Sequence, residues 1–250
     1  FCELCALTIS NSVDLRQSAT REARYLQIVG TYEREEVERF VKMFACLVEW
    51  LERGFGDRLG QLFMSLDLGN AFKGQFFTPY EISSLMAELT LGNVEECVER
   101  NGFIDMSEPA CGSGGMVIAC AQAMQHKGFN YQKTMHATLV DVDNTAVHMA
   151  YVQCSLYGIP AIVVHGNTLA MQEFGHWYTP MHILGGWASK RNNLVPGSAL
   201  QQVEAQPSVN DGLEQQEVLA ECIELLTGLP ESEPALSQDP HFEVQSKLFG

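Results

Sequence analysis

Apolar residues recur at helical spacing from Glu33 to Arg53. Val37, Phe40, Val41, Phe44, Leu47, Val48 and Leu51 share one face, with Glu and Arg opposite, and Gly54 closes the helix this predicts. A second helix is predicted from about Asp57 to Leu66, with Leu59, Leu62, Phe63 and Leu66 inward and Gly69-Asn70 as its stop. Residues 1–30 are weakly periodic and read as short helix and loop. Residues 1–72 are therefore expected to form a helical N-terminal subdomain.

From there the pattern changes. Thr78-Pro79-Tyr80-Glu81 reads as N-cap, first helical position and capping box for a helix to about Thr90. Phe103 to Met106 has the character of a short buried strand, and Met116 to about Gln125 that of a helix ended by Gly128. His136 to Val142 is a second strand, followed by a helix from Asn144 to Tyr157 that closes at Gly158-Ile159-Pro160. Ala161 to His165 is a β-branched run suited to burial on both faces, as in parallel sheets. Strand alternating with helix predicts an α/β fold with a Rossmann-like, doubly wound sheet over residues 73–191. Phe174 to Trp187 is aromatic-rich and contains one plausible short strand, Met181 to Leu184. Residues 192–250 form an acidic segment: polar loop to Asp211, a helix from about Leu213 to Leu226, then a Pro-, Ser- and Glu-rich tail. No internal repeat is visible, and the sheet has room to be truncated.

The first strand runs into Glu108-Pro109-Ala110-Cys111-Gly112-Ser113-Gly114-Gly115. Glycine permits a tight turn and close approach of a ligand to the backbone, and the following helix offers free N–H groups. Glu108 repels a phosphate and suits a ligand carrying an ammonium group, as S-adenosylmethionine does. The second strand ends in Leu139-Val140-Asp141-Val142-Asp143. In a doubly wound sheet such an acid accepts from ribose hydroxyls, which points to Asp141, with Asp143 available to cap the next helix. Asn167, after the third strand, suits either an adenine edge or a simple turn. Phe76 and Phe77 read either as a hydrophobic staple or as an aromatic wall beside the ligand.

Composition narrows the picture. Hydrophobic residues make up 46% and the formal net charge is −16. That charge disfavours free-standing DNA binding, because a polyanion is held through basic surface. Work on DNA would need a protein partner or a local basic patch; beyond Arg191 the only Lys or Arg is Lys247. No apolar run is long enough to span a membrane, and no signal peptide is visible at Phe1. The 8 cysteines are scattered, with Cys2 and Cys5 the only close pair; no metal site is expected, and a reducing cytoplasm is the natural setting.

Four motifs in order resemble those of the N6-adenine DNA methyltransferases, in particular the modification subunit of type I restriction systems. Gly74-Gln75-Phe76-Phe77-Thr78-Pro79 looks like the family's "GQFFTP", and Glu108 to Gly114 looks like its "DPACGSG" with Glu for Asp. Leu139 to Asp143 looks like the strand whose acid binds ribose; Gly166-Asn167-Thr168-Leu169 is similar to "GDTL", with Asn167 where Asp faces adenine. The resemblance covers roughly residues 74–170 and implies an S-adenosylmethionine site built from Phe76, Phe77, Thr78, Glu108, Ala110, Gly112, Ser113, Gly114, Asp141 and Asn167. The family also uses an Asn/Asp/Ser-Pro-Pro-aromatic loop, whose acceptors take the protons of the target amine while the aromatic stacks on the flipped base. The chain contains no Pro-Pro. Trp177, Tyr178 and Pro180 fall near the expected place, flanked by His176 and His182, and Asp239-Pro240-His241-Phe242 is closer in letters but far downstream. The expectations are a DNA adenine methyltransferase acting with a partner, or a non-catalytic relative working through protein contacts. A methyltransferase with a small-molecule or protein substrate is the third.

Overall fold

A computed structural model describes residues 1–66 and 77–192. Four helices come first: α1 (Cys2–Asn11), α2 (Ser18–Val29), α3 (Arg34–Glu52) and α4 (Arg58–Ser65). After the gap follow α5 (Tyr80–Thr90), a 3-10 turn (Leu91–Asn93), α6 (Val94–Asn101), β1 (Ile104–Glu108) and α7 (Gly115–His126). Then come α8 (Tyr131–Thr134), β2 (Met135–Asp141), α9 (Asn144–Leu156), β3 (Ala161–Asn167), β4 (Gln172–Tyr178), α10 (Pro180–Leu184) and α11 (Trp187–Asn192).

The sheet has the order β1-β2-β3-β4. The first three strands are parallel and β4 is antiparallel to β3, so the sheet is mixed. This is an α/β architecture consistent with a methyltransferase-like fold. Met135, Ala137, Leu139, Ala161 and Val163 are fully buried on one face, together with the inner faces of α7 and α9. Cys5, Ala6, Leu47, Leu51 and Leu59 of the N-terminal helices belong to the same core, with α1 lying along α9. Alternation along the strands turns Asp105, His136 and Tyr178 to the opposite face, where α10 and α11 pack.

Several sequence expectations need correction. Residues 1–30 are mostly helical: α1 buries Leu4, Cys5, Ala6 and Leu7 against α9, an apolar run whose value shows only once its partner is in place. Helix α5 starts at Tyr80, with Pro79 in the N-cap position and no side-chain cap, so Thr78 stands one residue too early. The Tyr80 hydroxyl donates to Gln122 of α7 at 2.7 Å, which anchors the first turn from inside the core. The capping box belongs instead to α3, where Glu33 and Glu36 exchange bonds. Helix α6 has no clear apolar pattern in the sequence, because Val94 is its one buried side chain.

The largest correction falls after β3. Met181 to Leu184 is helical, not a strand: the Thr179 hydroxyl caps α10, and Pro180 occupies its first turn. The fourth strand is Gln172–Tyr178, reached by a reversal in which Met171 takes φ 52°, a position normally left to glycine. The expected helix from Leu213 to Leu226 lies outside the described residues. No helix among the described residues is long and apolar enough to cross a membrane.

Candidate cofactor site

The loop between β1 and α7 is set by two left-handed glycines, Gly112 at φ 54° and Gly114 at φ 94°. Cys111 N–H donates to the Val140 carbonyl at 2.9 Å and Gly114 N–H to the Cys111 carbonyl at 2.9 Å, which fixes the loop against the end of β2. Asp141 then closes it. One carboxylate oxygen accepts from Gly112 N–H at 2.8 Å and the other from Asp143 N–H at 2.8 Å. A carboxylate has about four acceptor sites, so each oxygen keeps one for a further donor. Asp143 caps α9, accepting from Thr145 N–H at 2.7 Å.

The walls come from three directions. Phe77 lies over Gly112 so closely that a Cβ there would meet its ring at 2.8 Å, and its other side packs on Phe63 at 5.3 Å between centroids. Across the loop, the Thr168 hydroxyl donates to the Pro109 carbonyl at 2.8 Å, tying the β3–β4 turn to the end of β1. The Asn167 side-chain oxygen accepts from Ala170 N–H at 3.0 Å and closes that turn. Thr78 is exposed beside Phe77, and Phe76 lies outside the described residues. A cavity of about 350 Å³ opens beyond Phe63, between the start of α1, α4 and the first turn of α9, with Glu3, Asn144, Thr145 and His148 as polar lining. Gly112 and Asp141 are not part of its wall; Phe63 lines the cavity and packs on Phe77.

The electrostatics of the loop are acidic. Burial pushes the Glu108 carboxyl above its usual range, the bond from Ala110 N–H opposes this, and the charge of Asp141 adds to it. Behind the loop the Ser113 hydroxyl donates to Asp57, and Gln153 donates to Asp57 at 2.8 Å and to the Ser113 carbonyl at 2.9 Å. Gly115, the first residue of α7, stands directly over the Asp57 carboxylate. Among the described residues, no ion pair involves Asp57, Glu108 or Asp141. Cys111 is buried, which holds its thiol well above the usual range and leaves it unsuited to act as a nucleophile.

Gly112, Gly114, Glu108, Ala110, Asp141, Asn167 and Phe77 are thus gathered at the carboxyl ends of β1, β2 and β3. Trp177, Tyr178 and Pro180 are not brought to that end. Tyr178 pairs with Ile162 at the start of β3, five strand residues from Asn167, or roughly 16 Å. Trp177 is wedged between the Arg21 guanidinium, 4.2 Å above its ring, and Tyr151 of α9. Tyr178 stacks on His182 at 4.9 Å, and Pro180 begins α10. Asp57, Gln153 and Thr168 contribute to the loop without having been singled out in the sequence. Gln153 carried the one usable signal, a polar residue on the fully buried face of α9.

No curated protein and no solved structure matches this chain. A family model for N-6 DNA methylase matches residues 56–185, from the loop before α4 to the end of α10, and the chain belongs to that family.

Proposed function

We propose that the cleft formed by Gly112, Glu108, Asp141 and Phe77 binds S-adenosylmethionine, and that the sheet is the cofactor-binding part of a Rossmann-like methyltransferase domain. The observation that carries this is the charge around the loop. In nucleotide-binding α/β proteins, the helix N-terminus and loop amides receive a phosphate. Here the Asp57 carboxylate stands against the start of α7, and Gly112 N–H already serves Asp141. A pyrophosphate would meet Asp141 and Glu108, with the buried Asp57 charge behind the loop adding to the repulsion. A cationic ligand, with a sulfonium and an ammonium, finds the same carboxylates attractive. Asp141 has acceptor capacity left for ribose hydroxyls, and Phe77 gives a flat apolar wall.

When bound, S-adenosylmethionine supplies an electrophilic methyl group. The chain's own residues hold and orient it: Asp141 the sugar, the Gly112–Gly114 backbone the methionine end, Asn167 the adenine side. Family membership supports adenine N6 in DNA as the acceptor. The net charge of −16 favours transfer together with a protein partner that supplies basic surface. A second reading, a relative that binds the cofactor without transferring its methyl group, is favoured by two observations: the sequence has no adjacent prolines, and Trp177, Tyr178 and Pro180 stand at the far end of the sheet.

Calorimetric titration with S-adenosylhomocysteine tests the binding, with ATP and NAD as phosphate-bearing controls. Saturable binding of the first and none of the controls is expected; binding of NAD in its place would overturn the assignment. Transfer of labelled methyl to DNA, with and without cell extract, then separates the two readings.

A further inference from the structure

We propose that Asp57 is a positioning residue for the cofactor loop, so that the helical region sets the shape of the site through one buried carboxylate. This rests on the cofactor reading above. Asp57 is 3% exposed. As the N-cap of α4 it needs only one oxygen, which accepts from Gly60 N–H at 2.9 Å. The second oxygen takes the hydroxyl proton of Ser113, across 56 residues of sequence. Gln153, fully buried on α9, joins the two: its amide nitrogen donates to Asp57 at 2.8 Å and to the Ser113 carbonyl at 2.9 Å. The Gln153 side-chain oxygen accepts from Leu59 N–H at 3.1 Å, which locks the amide's orientation. Two elements, the start of α4 and the middle of α9, therefore converge on one loop residue.

Two glycines make room for this arrangement. A Cβ on Gly60 would collide with the Asp57 carboxylate and the Ser113 hydroxyl, and one on Gly115 would stand 3.2 Å from Asp57. Gly60 lies inside α4, where glycine costs helix stability, so its place there is explained by the close approach rather than by the helix. A cap alone would need neither glycine. The Ser113 hydroxyl is spent on Asp57; in this arrangement Ser113 serves the ligand through its backbone.

The test compares Asp57→Asn, which keeps the shape and the cap, with Thr179→Ala, which removes a buried hydroxyl at the opposite end of β3. Two quantities are read: hydrogen exchange at the Gly112, Gly114 and Gly115 amides without ligand, and the Kd for S-adenosylhomocysteine. For Asp57→Asn, exchange at those amides accelerates and Kd rises, each by about tenfold, the scale of one lost charged hydrogen bond. Thr179→Ala lowers Tm and leaves both unchanged. If Asp57→Asn lowers Tm yet keeps loop exchange and Kd at wild-type values, Asp57 is only a helix cap and the proposal is overturned. Should Asp57→Asn not fold, Gln153→Met, which spares the cap, is read against the same outcomes. If the wild-type protein binds no S-adenosylhomocysteine, the cofactor reading fails, and the exchange measurement alone decides the role of Asp57.

Discussion

The Asp141 carboxylate at the end of β2 holds the backbone N–H of Gly112 at 2.8 Å, so the acid that faces the cleft also fixes the turn of the glycine loop. Removing it should therefore cost the loop geometry and, with it, the proposed sugar contact. With ligand at about 100 times its Kd, wild-type protein gains about 2.7 kcal/mol, or roughly 5–10 °C in Tm for a chain of this size. Asp141→Ala is expected to show no such shift, and Asp141→Asn a reduced one. A full shift in Asp141→Ala, measured by differential scanning calorimetry with S-adenosylhomocysteine, would place the ligand elsewhere.

Gly112 answers to two constraints that can be separated. Its φ of 54° costs an alanine about 1–2 kcal/mol, and the added Cβ would also press on Phe77. Gly112→Ala is expected to destabilise by roughly 2–3 kcal/mol in urea titrations and to weaken ligand binding by displacing the aromatic wall. In a Phe77→Ala background the steric part disappears, and the same substitution should cost only the backbone share. Equal costs in both backgrounds would show that Phe77 does not press on the loop.

The path from sequence to structure was uneven for physical reasons. Strands β1 to β3, helices α3, α4, α7 and α9, and the glycine loop were legible because each is encoded locally, by periodicity, turn chemistry and small residues. Asp141 was legible as the acid that ends β2 and Gly112 as part of the turn after β1; their contact was not, and it follows from parallel pairing that puts the two strand ends side by side. Strand β4 was not, since its position depends on the Met171 reversal and on pairing with β3. The Met181 to Leu184 run has strand-like composition, and its helix follows from a Thr179 hydroxyl held by the Ile159 carbonyl, a tertiary contact. In the sequence Asp57 reads as a helix start. Nothing in its neighbourhood tells that its second oxygen serves a residue 56 positions away.

Acid should weaken the fold through its buried histidines. His136 shares a 2.9 Å hydrogen bond with His182 and a 3.1 Å bond with Asp105, whose other oxygen receives Arg191. Burial, then His136 and Arg191, pushes His182 down to about 4, and burial, opposed by the Glu3 charge, takes His148 down to about 4. For Asp105, burial pushes up, but the His136 bond and the Arg191 charge prevail and the net direction is down. For His136, burial pushes down, the Asp105 bond and charge oppose it, and the net direction is down. A histidine whose folded pKa lies below its unfolded value of about 6.5 binds its proton more readily when unfolded. Its contribution is present above about pH 6.5 and is lost as pH falls toward 4, by up to about 3 kcal/mol for His182. Urea titrations from pH 7.5 to 4.5 should show this decline, and His182→Asn should flatten it. An unchanged slope would show that His182 titrates normally.

Arg21 and Asp14 provide the last prediction. They pair at 2.9 Å with side chains only 7% and 6% exposed, and the guanidinium also donates to the His176 carbonyl at 3.0 Å while covering Trp177. The pair therefore joins α2 to β4, the strand least specified by its own sequence. Burying two charges costs several kcal/mol, which their attraction and hydrogen bonds offset only while both are present. Arg21→Leu leaves Asp14 buried without its cation and is expected to cost about 3–5 kcal/mol. Asp14→Leu leaves the guanidinium with the His176 carbonyl, Ser10 and the Trp177 ring, so its cost should be smaller. In the double variant neither charge remains, and the loss should fall well below the sum, with a coupling of about 2 kcal/mol or more from the cycle. Additive costs would mean that the two residues act independently, and that packing on Trp177, rather than the ion pair, holds β4 to the helices.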